Sequence, residues 1–222
     1  MDIKTVERWV AYEHRRPHRG TRREVANLLS VDEVHLWPEL AEDLHTRPNG
    51  QSEVVHVFPT RSAVPHGLWA ELINGVTQQM DVLVFSGSFL VEQYNLLPVI
   101  RSKAAEGVRF RLAVGDENSS ALIQRGAEEG TDGGLEGRAQ LMRRYLQEVA
   151  SLPGVEVCTH GTPLYNSIYR FDDQMLVNGH AYGSLAGQNP VMHLRELSGG
   201  LMWLNYQRSF ERVWQQATPE PA

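Results

Sequence analysis

Apolar positions recur with a helical period near the amino end of the chain and with strand-like periods beyond it. Val6, Trp9 and Val10 fall at i, i+3 and i+4, with Lys4, Glu7, Arg8 and Tyr12 off that stripe, so residues 3–13 read as a helix with Asp2 as its N-cap. Pro17 and Gly20 interrupt the pattern. Thr21 then caps a second helix whose apolar side is Val25, Leu28 and Leu29, and a short third turn starts at Ser30 or Asp32 with Val34, Leu36 and Trp37 as anchors. Residues 43–52 lose periodicity around Pro48-Asn49-Gly50, a turn-forming run. The chain is therefore expected to divide into a small all-α segment (1–42), a linker (43–53), a larger domain (54–217) and a disordered tail (218–222).

In the larger domain the pattern alternates between strands and helices. Residues 53–59 read as a strand, 65–79 as a helix with Leu68, Leu72, Ile73 and Val76 inward, and Asp81-Val82-Leu83-Val84-Phe85 as a strand buried on both faces and bounded by Ser86-Gly87-Ser88. Helices over 89–106, broken near Pro98, lead to an alternating strand at 108–114. A glycine-rich acidic stretch at 126–137 precedes a helix over 138–152. Strands follow at 155–159, 164–171, 174–178 and 191–197, and a helix at 200–216 closes the chain. This order predicts an α/β domain: a mixed sheet flanked by helices.

Composition narrows the class. A chain of 222 residues, 41% of them hydrophobic, holds one mid-sized domain plus a small one. No run of eighteen apolar residues and no signal-peptide pattern occur, so a soluble cytoplasmic protein with no membrane partner is expected. The single Cys158 excludes an intrachain disulfide framework and a cysteine-rich zinc site; in Val155-Glu156-Val157-Cys158 it reads as an inert core thiol.

Charge is unevenly spread. Residues 1–30 carry seven Lys and Arg against four Asp and Glu, a surplus of three positive charges, whereas the whole chain is at −6, leaving nine negative charges on the remainder. A basic head on an acidic body suits a polyanionic partner for the head.

Three features of the larger domain bear on chemistry. The loop Gly130-Thr131-Asp132-Gly133-Gly134-Leu135-Glu136-Gly137 lacks the lysine of a phosphate-binding loop and carries two carboxylates, which reads as a connector. His160, His180 and His193 lie near strand ends without metal-ligand spacing, so neither a metal nor a cofactor is expected. The third feature is the hairpin from Leu164 to Gly183. Strand alternation puts Tyr165, Ser167 and Tyr169 on one face, with His180 and Tyr182 beside them, while His193 and Arg195 on the next strand could add a cation.

Two resemblances follow from these residues. Thr5-Val6-x-Arg8-Trp9, the basic turn with Arg16-Pro17, and Val25-Ala26-x-Leu28-Leu29-x-Val31-Asp32-x-x-x-Leu36-Trp37-Pro38 resemble the lambda-repressor-like (xenobiotic-response-element type) helix-turn-helix regulators of actinobacteria that carry a large carboxy-terminal domain. That fold has five helices, of which these residues match the last three. The resemblance implies a partial helix-turn-helix in which Lys4, Thr5, Arg8, Arg15, Arg16 and Arg19 meet double-stranded DNA, conditional on a complete fold. Residues 54–216, through Tyr165 to Asn178, Asn189 to Arg195 and Ser209 to Trp214, resemble the uncharacterised domain that accompanies this subset.

The hairpin also resembles the phospholipase D superfamily, whose motif is His-x-Lys-x-x-x-x-Asp on a strand followed by Gly-Ser-x-Asn. Counted back from Asp172, the histidine falls at Tyr165 and the lysine at Ser167; counted from Asp173, at Asn166 and Ile168. Gly179-His180-Ala181-Tyr182 stands where Gly-Ser-x-Asn would. Phosphodiester transfer in that superfamily needs an imidazole nucleophile and a cation on the phosphate oxygens, and a phenol of pKa about 10 and a hydroxyl supply neither.

The expectation is thus a regulator whose degenerate phospholipase-D-like domain is not an enzyme. Tyr165, Ser167, Asp172, His180, Tyr182, His193 and Arg195 would line a pocket for an unknown small ligand, phosphorylated compounds included. The alternatives are a phosphodiesterase with altered catalytic residues, or a ligand-binding or dimerisation module without DNA binding. Both resemblances imply a homodimer.

Overall fold

The computed structural model describes residues 17–29, 31, 33–37 and 52–221. The predicted helix over 3–13 lies outside them, as do Lys4, Thr5, Arg8, Arg15 and Arg16. The chain separates into two units, residues 1–52 and 53–222.

In the first unit, α1 (Arg19–Leu29) and α2 (Glu33–Leu36) are tied by the Arg22–Glu33 ion pair at 3.3 Å. The first of these helices starts two residues before Thr21, so Thr21 is not its cap. Among its described side chains Ala26 is buried, whereas Leu28 and Leu29, expected on the apolar side, are exposed.

The second unit is an eight-stranded mixed sheet in the order β1-β7-β6-β5-β2-β3-β4-β8. Its strands are β1 (Val54–Phe58), β2 (Gln79–Val84), β3 (Arg109–Gly115), β4 (Val155–His160), β5 (Asn166–Phe171), β6 (Gln174–Gly179), β7 (Val191–Arg195) and β8 (Thr218–Pro219). The β2, β3 and β4 strands run parallel; β5 enters antiparallel on the other side of β2 and continues as a meander through β6, β7 and β1. The expected tail is in part a strand, because β8 pairs with Cys158 and Thr159 and the Glu220 amide donates to the Val157 carbonyl. Cys158 is buried, and burial with Glu156 and Glu220 nearby raises its thiol pKa.

Both faces of the sheet are covered. One carries α3 (His66–Gly75), α4 (Phe89–Tyr94), α5 (Leu96–Ala105) and α7 (Gly134–Gln147), whose Trp69, Leu90, Ile100 and Met142 pack on Val82, Val84, Leu112, Tyr169 and Leu176. The other carries α8 (Leu201–Trp214), whose Trp203, Phe210 and Val213 pack on Leu83, Ala113, Ile168 and Val177. Neighbouring residues of β2 and of β5 thus serve opposite cores, as the period of two requires. Asp81, on the α8 face, is buried and pairs with Arg111 at 2.8 Å and Arg170 at 3.5 Å, and Arg111 reaches Glu211 at 2.8 Å. The Glu53 carboxylate caps α8, accepting from the amides of Leu201, Met202 and Trp203.

Several boundaries differ from the sequence reading for identifiable reasons. The α3 helix ends at Gly75, because the amides of Thr77, Gln78 and Gln79 turn to the Asp172 carboxylate. Trp69, unassigned by the pattern, is buried beside Ile73, while Leu68 and Leu72 are only half-buried. The break between α4 and α5 falls at Asn95 (φ 50°), not at Pro98, which fits in the first turn of α5. The expected connector over 130–137 is helical from Gly134, where α7 starts, and the glycine-rich stretch that begins at 126 opens inside α6 (Ser120–Glu128), which contains Gly126. Gly126 is where these helices meet, since a Cβ there would stand 3.0 Å from the Glu136 carboxylate and 3.5 Å from the Leu135 side chain.

Asp172 sets the register of the β5–β6 hairpin. It occupies the turn with φ 51°, donates its amide to the Gln79 carbonyl, and accepts from the Thr77, Gln78 and Gln79 amides and the Thr77 hydroxyl at 2.8–2.9 Å. Its partial burial opposes the charged form, but these bonds outweigh it and hold the carboxyl below its ordinary value. Asp172→Ala is expected to lower unfolding free energy by about 2 kcal/mol, measured by urea denaturation; an unchanged midpoint would remove this role.

Candidate functional site

A cavity of about 400 Å³ opens at the carboxyl end of β2. Beside β2 the parallel half of the sheet meets the antiparallel half, the kind of switch point where open α/β sheets leave a crevice. The loop Phe85-Ser86-Gly87-Ser88 forms one wall, Ser167 and Tyr169 of β5 with His180 form another, and Arg61, Glu129, Arg138 and Gln188 come from the surrounding segments. Gly87, at φ 71°, makes the turn from β2 into α4.

Ser167 and His180 meet inside this wall. Ser167 is buried on β5, and His180 follows β6, with its amide donating to the Tyr165 carbonyl at 2.9 Å. His180 Nδ1 lies 3.2 Å from the Leu164 carbonyl oxygen, which can only accept, so Nδ1 carries the proton. Nε2 is then an acceptor, and the Ser167 hydroxyl donates to it at 3.1 Å. Phe85 stacks on the ring at 6.0 Å. Burial pushes the His180 pKa down to about 4; the Leu164 bond works against this, while Arg125 and Arg61 add to it. The ring is neutral at pH 7.

The surrounding cations differ in how they are held. Arg125 is buried, bonded to Glu129 at 2.9 Å and to the carbonyls of Ala181 at 3.2 Å and Ser184 at 2.7 Å, so it fastens the loop after His180. Asn189 holds the same loop by accepting from the Ala181 amide and donating to the Leu185 carbonyl. Arg61 stacks over Phe89 at 4.2 Å and has no carboxylate partner among the described residues.

The predicted pocket residues separate into three groups. Ser167 and His180 share the cavity. Tyr165 and Tyr182 do not; both are largely exposed and line a second cavity of about 430 Å³ with Gln124, Arg125, Pro163 and the other side of His180. Asp172, His193 and Arg195 line neither. The antiparallel register explains this: Gln174, next to the turn, pairs with Arg195, which places Arg195 at the Asp172 end of the sheet, and His193 donates Nε2–H to Gln174 Oε1 at 2.6 Å. His160 is bonded to the Val84 carbonyl at 3.1 Å and accepts from the Thr162 amide. No group of three metal-ligating side chains occurs among the described residues.

Arg61, Arg125, Arg138 and the Ser86–Ser88 loop escaped the sequence reading. The one signal for them was Ser86-Gly87-Ser88 at the end of an inner strand.

No family model matches the chain, and no curated protein matches it. Among solved structures it is similar to the phosphatidylserine synthase of Haemophilus influenzae Rd KW20, with a TM-score of 0.51 and 13% identity over 85% of this chain and 47% of that one. The α/β unit has a phospholipase-D-like fold. TM-scores of 0.47 relate it to NucT from Helicobacter pylori, at 11% identity over 74% of this chain and 96% of that one, and to TrmBL2, an archaeal chromatin protein whose structure shows a novel mode of DNA binding, at 13% identity over 98% and 69%. At these identities the likeness is one of fold.

The depressed His180 pKa predicts a pH dependence of stability. Between about 4 and the ordinary 6.5, unfolded chains bind a proton at this position and folded chains do not, so stability rises with pH across that window and is lost as pH falls through it. His160 and His193 are shifted in the same direction by burial and steepen the slope. His180→Gln should flatten it by at most about 3 kcal/mol between its ends, read by urea unfolding at a series of pH values; an unaltered slope would contradict the assignment.

Proposed function

We propose that the chain is a DNA-binding transcriptional regulator of the helix-turn-helix lineage, in which the phospholipase-D-like unit forms a homodimer and holds a small ligand in the cavity beside Ser167 and His180. One observation carries the ligand role. The cavity at the carboxyl end of β2 has both polar and apolar walls, and the superfamily's histidine and lysine positions fall on Tyr165 and Ser167 when the motif is counted from Asp172, or on Asn166 and Ile168 when it is counted from Asp173. Without an imidazole nucleophile and a lysine there, the phosphodiester reaction loses its machinery, but a binding site does not. Arg61, which forms no ion pair with a carboxylate among the described residues, favours ligands bearing an anionic group, phosphorylated metabolites among them, on the side of the cavity away from Glu129.

DNA binding is supported by the basic head, seven cations among residues 1–30 on a chain of net charge −6. Arg19, in α1, is the one proposed DNA contact within a described helix. Symmetric dimerisation would match the two-fold symmetry of paired half-sites.

Fluorescence anisotropy with duplex DNA should show binding that weakens at least tenfold between 50 and 200 mM salt and is lost when Arg15, Arg16 and Arg19 are changed to Gln together. Absent or salt-independent binding would remove the regulator reading. A thermal-shift series with nucleotides and sugar phosphates should raise the melting temperature of the wild type more than that of Arg61→Gln. Light scattering showing a 25.1 kDa species alone would remove the dimer.

A further inference from the structure

The Ser167–His180 pair has a property that the loss of phosphodiester machinery leaves untouched. Its hydroxyl donates to an unprotonated imidazole nitrogen at 3.1 Å, the other ring nitrogen is anchored on the Leu164 carbonyl at 3.2 Å, and the serine opens on a cavity of about 400 Å³. Nucleophile, base and orienting group within hydrogen-bond reach of one another constitute the geometry of serine acyl transfer.

We infer that Ser167 is a nucleophile and His180 its general base for the hydrolysis of small carboxylic esters in this cavity, an activity beyond the ligand-holding role.

The chemistry favours an acyl over a phosphoryl substrate. A carbonyl develops a single negative oxygen at the tetrahedral stage, which one guanidinium such as that of Arg61 can offset, whereas a phosphodiester already carries charge over its non-bridging oxygens. The remaining wall suits a short acyl chain: Phe89, Tyr169, Leu135 and Leu185 supply apolar surface.

Atoms and protons balance as follows. The Ser167 oxygen bonds to the ester carbonyl carbon as its proton passes to His180 Nε2, and the carbonyl π pair moves onto oxygen. Collapse breaks the bond to the alcohol oxygen, which leaves with the Nε2 proton, and an acyl-Ser167 ester remains. Water then attacks that ester by the same path, its proton passing through Nε2, and releases the carboxylic acid with Ser167 restored. Arg61 and Arg125 disfavour the imidazolium formed on the way, so both halves are slow and the acyl form persists long enough to be isolated.

The full chain is incubated with p-nitrophenyl acetate and, separately, with a fluorophosphonate probe, and each adduct is located by peptide mass spectrometry. The expected result is a single acetyl or phosphonyl adduct on Ser167 of the wild type. Ser167→Ala should show no adduct, and in His180→Gln the rate of adduct formation should fall about 100-fold, both variants keeping the wild-type circular dichroism spectrum. If either variant fails to fold, the wild-type mapping decides alone. An unmodified Ser167, an adduct located only on other residues, or undiminished labelling in folded His180→Gln overturns the inference.

Discussion

The cavity depends on where the β5–β6 hairpin comes to rest against β2. Alternate residues of a strand face opposite sides, so a slip of one position would exchange the cores of Ile168 and Tyr169 and carry Ser167 away from His180. Asp172 prevents this by gathering the three successive amides that precede and begin β2. The residue that looks like a catalytic carboxylate in the linear motif is therefore a structural clamp at the opposite end of the strand from the cavity. With the clamp set, the six paired positions from Phe171–Gln174 to Asn166–Gly179 deliver Ser167 and His180 to one place.

What the fold delivers there is a polar pair held neutral, with Ser167 buried and His180 half-buried. Two guanidinia on either side of His180, one fastened to Glu129 and the loop carbonyls and one stacked on Phe89, work with burial to keep the ring unprotonated. An uncharged ring accepting from Ser167 and donating to Leu164 leaves no ring hydrogen-bonding capacity unmet, which is how a buried imidazole avoids the cost of burial. With its proton given to Nε2, the Ser167 oxygen keeps its accepting capacity at the cavity wall, where it serves either a ligand or a reacting carbonyl.

The sheet was largely legible in the residue pattern, because strands buried on both faces and strands of period two leave strong signals: β2, β4, β5 and β6 lie within two residues of their expected bounds. The α6 helix was not, because Gly126 and the acidic run after it imitate a loop, and only the packing against α7 explains a glycine inside a helix. Asp172, His193 and Arg195 were grouped with Ser167 by alternation and proximity in sequence, but alternation gives a face and not an end of the sheet. The end is settled by antiparallel register, which puts Arg195 opposite Gln174. Arg61 and Arg125 reach the site from segments about 106 and 42 residues away from Ser167 in the numbering, a long-range closure with no local pattern to announce it.

The central claim is that the Asp172 register holds Ser167 and a neutral His180 as a donor–acceptor pair. Long-range proton–nitrogen NMR of the histidine rings, with His180 assigned by its absence from His180→Gln, measures this directly at pH 7. The account predicts a ring protonated on Nδ1, with Nε2 unprotonated and titrating near 4. A ring protonated on Nε2, or one titrating at the ordinary value of 6.5, would contradict it.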